Sequence, residues 1–131
     1  MKKQSLLNPE IIREVAALGH TEYICIADCG LPIPKEVKTI DVSVSRGIPS
    51  FLDVLEAVNS ELVVESIILA REIDTANPQL AEKVRVCVDH LPEEMVSHHE
   101  FKEKVAKAKC VIRTGEASPY ANILLVGGVN F

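Results

Sequence analysis

No stretch of this 131-residue chain approaches the roughly 20 consecutive apolar residues that a membrane span requires. The opening M-K-K-Q-S-L-L-N-P-E starts as a secretory leader does, but Asn8, Pro9 and Glu10 interrupt it before an apolar segment of useful length forms. The expectation is a soluble, cytoplasmic protein that stays where it is made. Excess positive charge is missing too: 14 Lys and Arg stand against 19 Asp and Glu, for a net charge of −5. Nucleic-acid binding needs clustered basic residues to neutralise phosphates. Lys102, Lys104, Lys107 and Lys109 do gather, but Glu100 and Glu103 interleave with them, and the run reads as a solvated helix face. The cysteines, Cys25, Cys29, Cys87 and Cys110, show neither C-x-x-C pairing nor an accompanying H-x(3–5)-H. That argues against a metal site and leaves reduced thiols packed as small hydrophobes.

Catalytic signatures are equally scarce. The chain has no G-x-G-x-x-G after a strand, no P-loop, no H-E-x-x-H and no G-x-S-x-G. Hydride transfer, nucleotide hydrolysis and zinc chemistry lose support, and no cofactor is expected. Gly127-Gly128 is too short to cradle a phosphate and reads as a place where a strand end turns or packs closely. What remains is proton-transfer chemistry or plain binding.

Local structure is well marked. Asn8-Pro9 precedes the periodic run Ile11, Ile12, Val15, Ala16, with Gly19 beyond its end, and Asn77-Pro78 precedes Leu80, Val84 and Val88. Asn accepts from free backbone N–H groups at a helix start, and Pro sits where its missing donor costs nothing. Ser97 with Glu100 predicts a capping box ahead of Phe101, Val105 and Ala108, and a fourth helix follows Pro49-Ser50 with Phe51, Leu52, Leu55 and Val58. Between them lie Ile- and Val-rich runs at 23–27, 37–42, 62–70, 110–113 and 123–126. Several are continuously apolar, as strands covered on both faces are. The pattern predicts one layered α/β domain over 1–131, with a largely parallel central sheet flanked by about four helices.

Ligands of such sheets favour loops outside the strand ends. Two loops stand out: D-C-G-L-P-I-P (28–34) after the first strand and T-G-E-A-S-P-Y-A-N (114–122) before the last. The residues able to carry chemistry are His20, Asp28, His98, Tyr120 and Asn122. His20 follows a helix end and immediately precedes the strand that ends at Asp28, whereas His98 falls in the first turn of the helix capped by Ser97. Opposite helix ends then face the two imidazoles, an arrangement in which one site can hold an acid and a base. Asp28 is a strand-end carboxylate whose bland role is turn capping. Tyr120 and Asn122 offer a ring face and a two-way amide, suited to the C–H patches and vicinal hydroxyls of a sugar.

The stretches A-A-L-G-H-T (16–21), A-D-C-G-L-P-I-P (27–34), G-I-P-S-F (47–51), N-P-Q-L (77–80), S-H-H-E-F-K (97–102) and V-I-R-T-G-E-A-S-P-Y-A-N-I-L (111–124), with the final G-G-V-N-F, resemble the ribose pyranase and fucose mutarotase family along nearly the whole chain. G-L-P-I-P after Asp28 and Y-A-N near the end look like the ribose branch. Cys29 stands where relatives usually carry Ala, and His99 adds a second histidine beside His98. The resemblance implies a cofactor-free isomerase that interconverts the pyranose and furanose rings of free ribose. His20 would be the proton donor, Asp28 and His98 would bind substrate, and Tyr120-Ala121-Asn122 would line the pocket and reach a neighbouring subunit's site. It also implies a homo-oligomer, a decamer of paired pentameric rings. Rival readings are a mutarotase of fucose or another sugar, a non-catalytic sugar sensor, and a phosphocarrier using His20, for which no basic phosphate-holding loop is present.

Overall fold

A computed structural model describes all 131 residues. Helix α1 (Pro9–Ala17) begins as its sequence requires: the Asn8 carboxamide oxygen accepts from Glu10 N at 3.0 Å and Ile11 N at 3.1 Å. Strand β1 (Tyr23–Ala27) follows, then β2 (Thr39–Asp41) and α2 (Phe51–Asn59). At α2 a full capping box forms, Ser50 accepting from Asp53 N at 3.1 Å and Asp53 from Ser50 N at 3.4 Å. The chain continues through β3 (Val64–Ala70), α3 (Ile73–Ala76), α4 (Pro78–Cys87), β4 (Glu93–Val96), α5 (His98–Val105), β5 (Val111–Arg113) and β6 (Ile123–Gly127).

The six strands form one sheet in the order β2-β5-β1-β6-β3-β4. All pairings are parallel except those of β6, which runs antiparallel to both β1 and β3. Its reversal has a simple cause. β5 ends at one edge of the sheet, and the loop 114–122 is too short to hold the crossover that a parallel return needs. The chain therefore turns back directly between β1 and β3.

Burial of β1 shows how the sheet is covered. Ile24 and Ile26 join the larger core with Ile11, Phe51, Leu55, Leu80 and Val84, so α1, α2 and α4 cover that face. Cys25 and Ala27 point the other way, into a smaller core with Leu31, Val37, Phe101 and Val105, which α5 and the 31–37 loop complete. This three-layer packing is the reason the strand sequences read as continuously apolar rather than alternating. Burial pushes the Cys110 thiol up to about 12, and that of the fully enclosed Cys25 further.

The structure departs from the sequence reading in several places. β4 carries two exposed glutamates, Glu93 and Glu94, and as an edge strand it needs only one partner, so no apolar run announces it. The four-residue α3 is also unheralded and brings the helices to five. Asn77 does not cap α4 with its side chain; its Nδ2 donates instead to Ser118 Oγ at 3.0 Å and Pro119 O at 2.9 Å. At α5, Ser97 accepts from Glu100 N at 3.1 Å without the reciprocal bond of a full box, and the Glu72 carboxylate accepts from the next free donor, His98 N, at 2.9 and 3.1 Å.

One close approach anchors the 43–49 loop to the strand end at 113. Gly47 N donates to Gly115 O at 2.6 Å, and Gly115 N donates to Pro49 O at 2.9 Å. A Cβ on Gly115 would meet Ser45 O at 2.5 Å and Ile48 N at 2.6 Å, both backbone atoms. Gly115→Ala is therefore expected to cost about 2 kcal/mol or more, since rigid backbone must move to admit the methyl. A lowered midpoint in urea unfolding would register it.

Candidate active site

In a sheet of this topology the carboxyl ends of β1, β3, β4 and β5 lie along one edge, together with the start of the reversed β6. Asp28 leaves β1 there, His98 opens α5 just after β4, and Tyr120-Ala121-Asn122 leads into β6. Asp28 and Asn122 hold each other. Asp28 N donates to Asn122 Oδ1 at 2.9 Å, and Asn122 Nδ2 donates to Asp28 Oδ2 at 3.0 Å. Gly30 N donates to the other carboxylate oxygen at 2.9 Å, which fixes the carboxylate plane. Asn122 is only 1% exposed, so its first task is to orient Asp28, and the half-buried carboxylate offers the accessible acceptors. Ala121 is fully buried between them and the core.

The His98 ring stands edge-on to Tyr120, with centroids 5.1 Å apart and planes at 79°. Its Nδ1 is buried without a partner, which leaves Nε2 as the nitrogen for outside contacts. His99 points elsewhere and pairs with Glu103 at 3.1 Å on the exposed side of α5, so His98 is the one that faces Tyr120. Tyr120 adopts a left-handed φ of 56°, a conformation non-glycine residues avoid. Its loop is tied down on all sides. Thr114 Oγ1 donates to Ala27 O at 2.8 Å, Cys29 N donates to Glu116 O at 2.9 Å, and Glu116 accepts from Ser118 Oγ and from Phe51 N, both at 2.9 Å. The last bond places a carboxylate at the amino terminus of α2, where the helix dipole favours it. Beside this loop the Ser43 hydroxyl and backbone N–H, with Arg113 nearby, hold the Asp41 carboxyl below its usual range.

His20 does not join this group within one chain. Because it precedes β1, it lies at the amino edge of the sheet, and the five residues of β1, at about 3.3 Å each, put roughly 17 Å between the two edges. It stands two residues beyond Leu18, the C-cap of α1. The exposed imidazole instead meets Glu65 of β3, Nε2 to Oε2 at 2.9 Å. Four of the five chemically active candidates thus gather at one edge and the fifth stands at the other.

Sequence reasoning passed over Glu65, Glu72, Asn77 and Glu116 as functional supports. Glu116 lay within a loop already marked as constrained. Glu65 and Glu72 are single acidic residues at the two ends of an apolar strand, and nothing in their spacing distinguishes them from solubilising charge. No group of three or more His, Cys, Asp or Glu side chains is arranged to hold a metal ion.

The family model described as the RbsD / FucU transport protein family matches residues 1–130. A D-ribose pyranase of Geobacillus thermodenitrificans is 55% identical over 131 residues, covering 100% of this chain and 99% of the relative, and one of Geobacillus kaustophilus is 53% identical, covering 100% and 96%. Among solved structures, Bacillus subtilis RbsD complexed with D-ribose superposes with a TM-score of 0.96 at 44% identity, covering 100% of both chains. The fucose mutarotase of Streptococcus pneumoniae, in complex with L-fucose, shares the fold at a TM-score of 0.71 and 21% identity, over 95% of this chain and 94% of that one. By full-length sequence match and by structure, the chain belongs to the RbsD / FucU family.

Proposed function

We propose that this protein is a D-ribose pyranase, which interconverts the pyranose and furanose forms of free ribose without a cofactor. The observation that carries the reading is the full-length likeness to D-ribose pyranases at 55% identity, combined with a rigid carboxylate, imidazole and phenol gathered at one sheet edge. The reaction asks little more. A proton leaves the anomeric hydroxyl as the C1–O5 bond breaks, a proton arrives at O5, and the open aldehyde forms. The 4-hydroxyl then adds to C1, loses its proton, and the carbonyl oxygen regains one. Nothing is oxidised and no group is transferred, so positioned acids and bases suffice; each typically contributes about 10²–10⁴-fold.

In this reading Asp28 and His98 accept and donate to the sugar hydroxyls, and Tyr120 presents its ring and hydroxyl. Ala121 and Asn122 shape the wall and hold Asp28, and His20 delivers the proton. Since His20 lies at the opposite edge of its own subunit, the site closes between two copies: the amino edge of one meets the carboxyl edge of the next. Two different surfaces meet in such a contact, so it is head-to-tail and must close into a ring to avoid a filament. The pentameric rings paired into decamers that the family resemblance implies satisfy that condition. Near the His20 turn, a groove of about 430 Å³ whose lining mixes Leu18, Leu62, Val63 and Phe131 with Glu61 and Asn130 supports a neighbour docking there. The four unpaired cysteines suit a reducing, cytoplasmic compartment, and no helix is long and apolar enough to cross a membrane.

Magnetisation transfer between the anomeric protons of ribose at equilibrium tests the activity directly. Catalytic amounts of protein are expected to accelerate pyranose–furanose exchange, and His20→Ala to lower that rate by about 10²-fold or more while ribose still binds. Bound ribose with no acceleration in the wild type would make the protein a sensor, and stronger acceleration of fucose would reassign the substrate.

The shared site has its own test. His20→Ala and Asp28→Ala proteins, each inactive alone, should regain about a quarter of the wild-type activity when dissociated and reassembled as a 1:1 mixture, because random neighbours rebuild one intact site in four. No recovery from mixed oligomers would place the whole site within one subunit.

A further inference from the structure

At the amino edge, the chain brings a single carboxylate to the His20 imidazole, and it does so through a specific piece of architecture. His20 sits on the turn entering β1, Glu65 sits near the start of β3, and the two strands are not neighbours, because β6 runs between them. The side chains meet across the end of β6, where the residues are Gly127 and Gly128. A Cβ on Gly128 would come within 3.2 Å of the Glu65 Cβ and 3.3 Å of Val63 Cγ1. A Cβ on Gly127 would come within 2.9 Å of Gly19 O and 3.0 Å of Leu18 Cδ2. The turn itself is pinned to the same strand end: Thr21, at a left-handed φ of 69°, donates its N–H to Gly127 O at 2.9 Å, and Gly127 N donates to Glu22 O at 2.8 Å. The glycine pair therefore leaves the bare strand end over which His20 and Glu65 reach their 2.9 Å contact.

We infer that Glu65 is the positioning residue for His20: by accepting the Nε2–H it fixes the ring's orientation and tautomer, and leaves Nδ1 as the nitrogen that exchanges protons with the sugar. The chemical argument is one of donor and acceptor. An ionised carboxylate only accepts hydrogen bonds, so the nitrogen facing it must carry hydrogen. In the neutral ring the other nitrogen is then the free base, and in the charged ring it holds the transferable proton. Ring opening consumes the Nδ1 proton at O5 as the C1–O5 bond breaks and leaves a neutral Nε2–H imidazole still bound to Glu65. The proton released from the anomeric hydroxyl restores the charged ring by way of solvent. Without Glu65 no other side chain of its own subunit holds the imidazole, and the ring is free to flip and to populate either tautomer.

This inference rests on the proposal that His20 is the proton donor, and the experiment separates the two. Ring exchange is measured on wild type, Glu65→Ala and Glu65→Gln, with ¹⁵N–¹H correlation spectra of the His20 imidazole, and with sedimentation to confirm equal assembly. The wild type should show His20 protonated at Nε2 in its neutral form. Glu65→Ala should mix the tautomers and lower kcat about ten-fold or more, with KM for ribose changed little. Glu65→Gln, whose amide oxygen accepts the same bond, should restore the tautomer and most of the rate. A Glu65→Ala protein with wild-type kcat overturns the assignment, as does a lost rate with the His20 tautomer unchanged. An inactive wild type would instead overturn the function.

Discussion

Strand β6 has to run backwards, and much of the molecule follows from that. The loop 114–122 leaves β5 and re-enters the sheet from the same edge, so the returning strand opposes β1 on one side and β3 on the other. At its beginning this delivers Asn122 to the end of β1, where it locks Asp28 in a reciprocal pair. At its end it delivers Gly127-Gly128 beside the turn that carries His20 and the strand that carries Glu65. One short strand thus builds the support at both edges of the sheet, and it is buried along nearly its whole length.

The two edges differ in character. At the carboxyl edge, polar side chains are used on the protein itself before any ligand arrives. Glu116 caps α2, Glu72 caps α5, Asn77 holds the loop that bends at Tyr120, and Thr114 bonds back to β1. Such mutual satisfaction rigidifies a site, because a buried polar group without a partner is costly and the loop has one arrangement that pairs most of them. The exceptions are Arg113 Nε, at the end of β5, and His98 Nδ1, both buried and unpaired; Tyr120 already fixes the His98 ring by its edge. The amino edge carries exposed ion pairs instead, His20 with Glu65 and Lys109 with Glu22, next to a groove that includes Leu18 and Phe131.

Legibility in the sequence followed the range of the interactions. Asn8-Pro9 and Ser50 acted within a few residues of where they stand, so α1 and α2 could be read from their caps. Asn77 carried the same local signature, yet its side chain turned to a loop 41 residues away, a choice only the folded chain makes available. β4 was invisible because an edge strand needs neither continuous burial nor alternation. Asp28, His98, Tyr120 and Asn122 came forward as candidates from their chemistry at strand ends and a helix start, and contiguous family motifs gave them roles, whereas Glu65 and Glu72 had no neighbours in sequence to give them meaning.

By itself the sequence determined that this is one layered α/β domain with a sheet covered on both faces, because burial writes continuous apolar runs and helix ends write their caps locally. It also determined the inventory of chemistry, two imidazoles, a carboxylate, a phenol and an amide, and through its motifs the family. Tertiary structure alone decided the direction of β6, the pairing of Asp28 with Asn122, and the meeting of His20 with Glu65. It also decided which of two adjacent histidines faces Tyr120. It alone separated His20 from the other candidates, since proximity along the chain becomes distance in space when an extended strand lies between. Five residues of β1 stand between His20's turn and Asp28, and a strand is the form in which a chain travels farthest per residue.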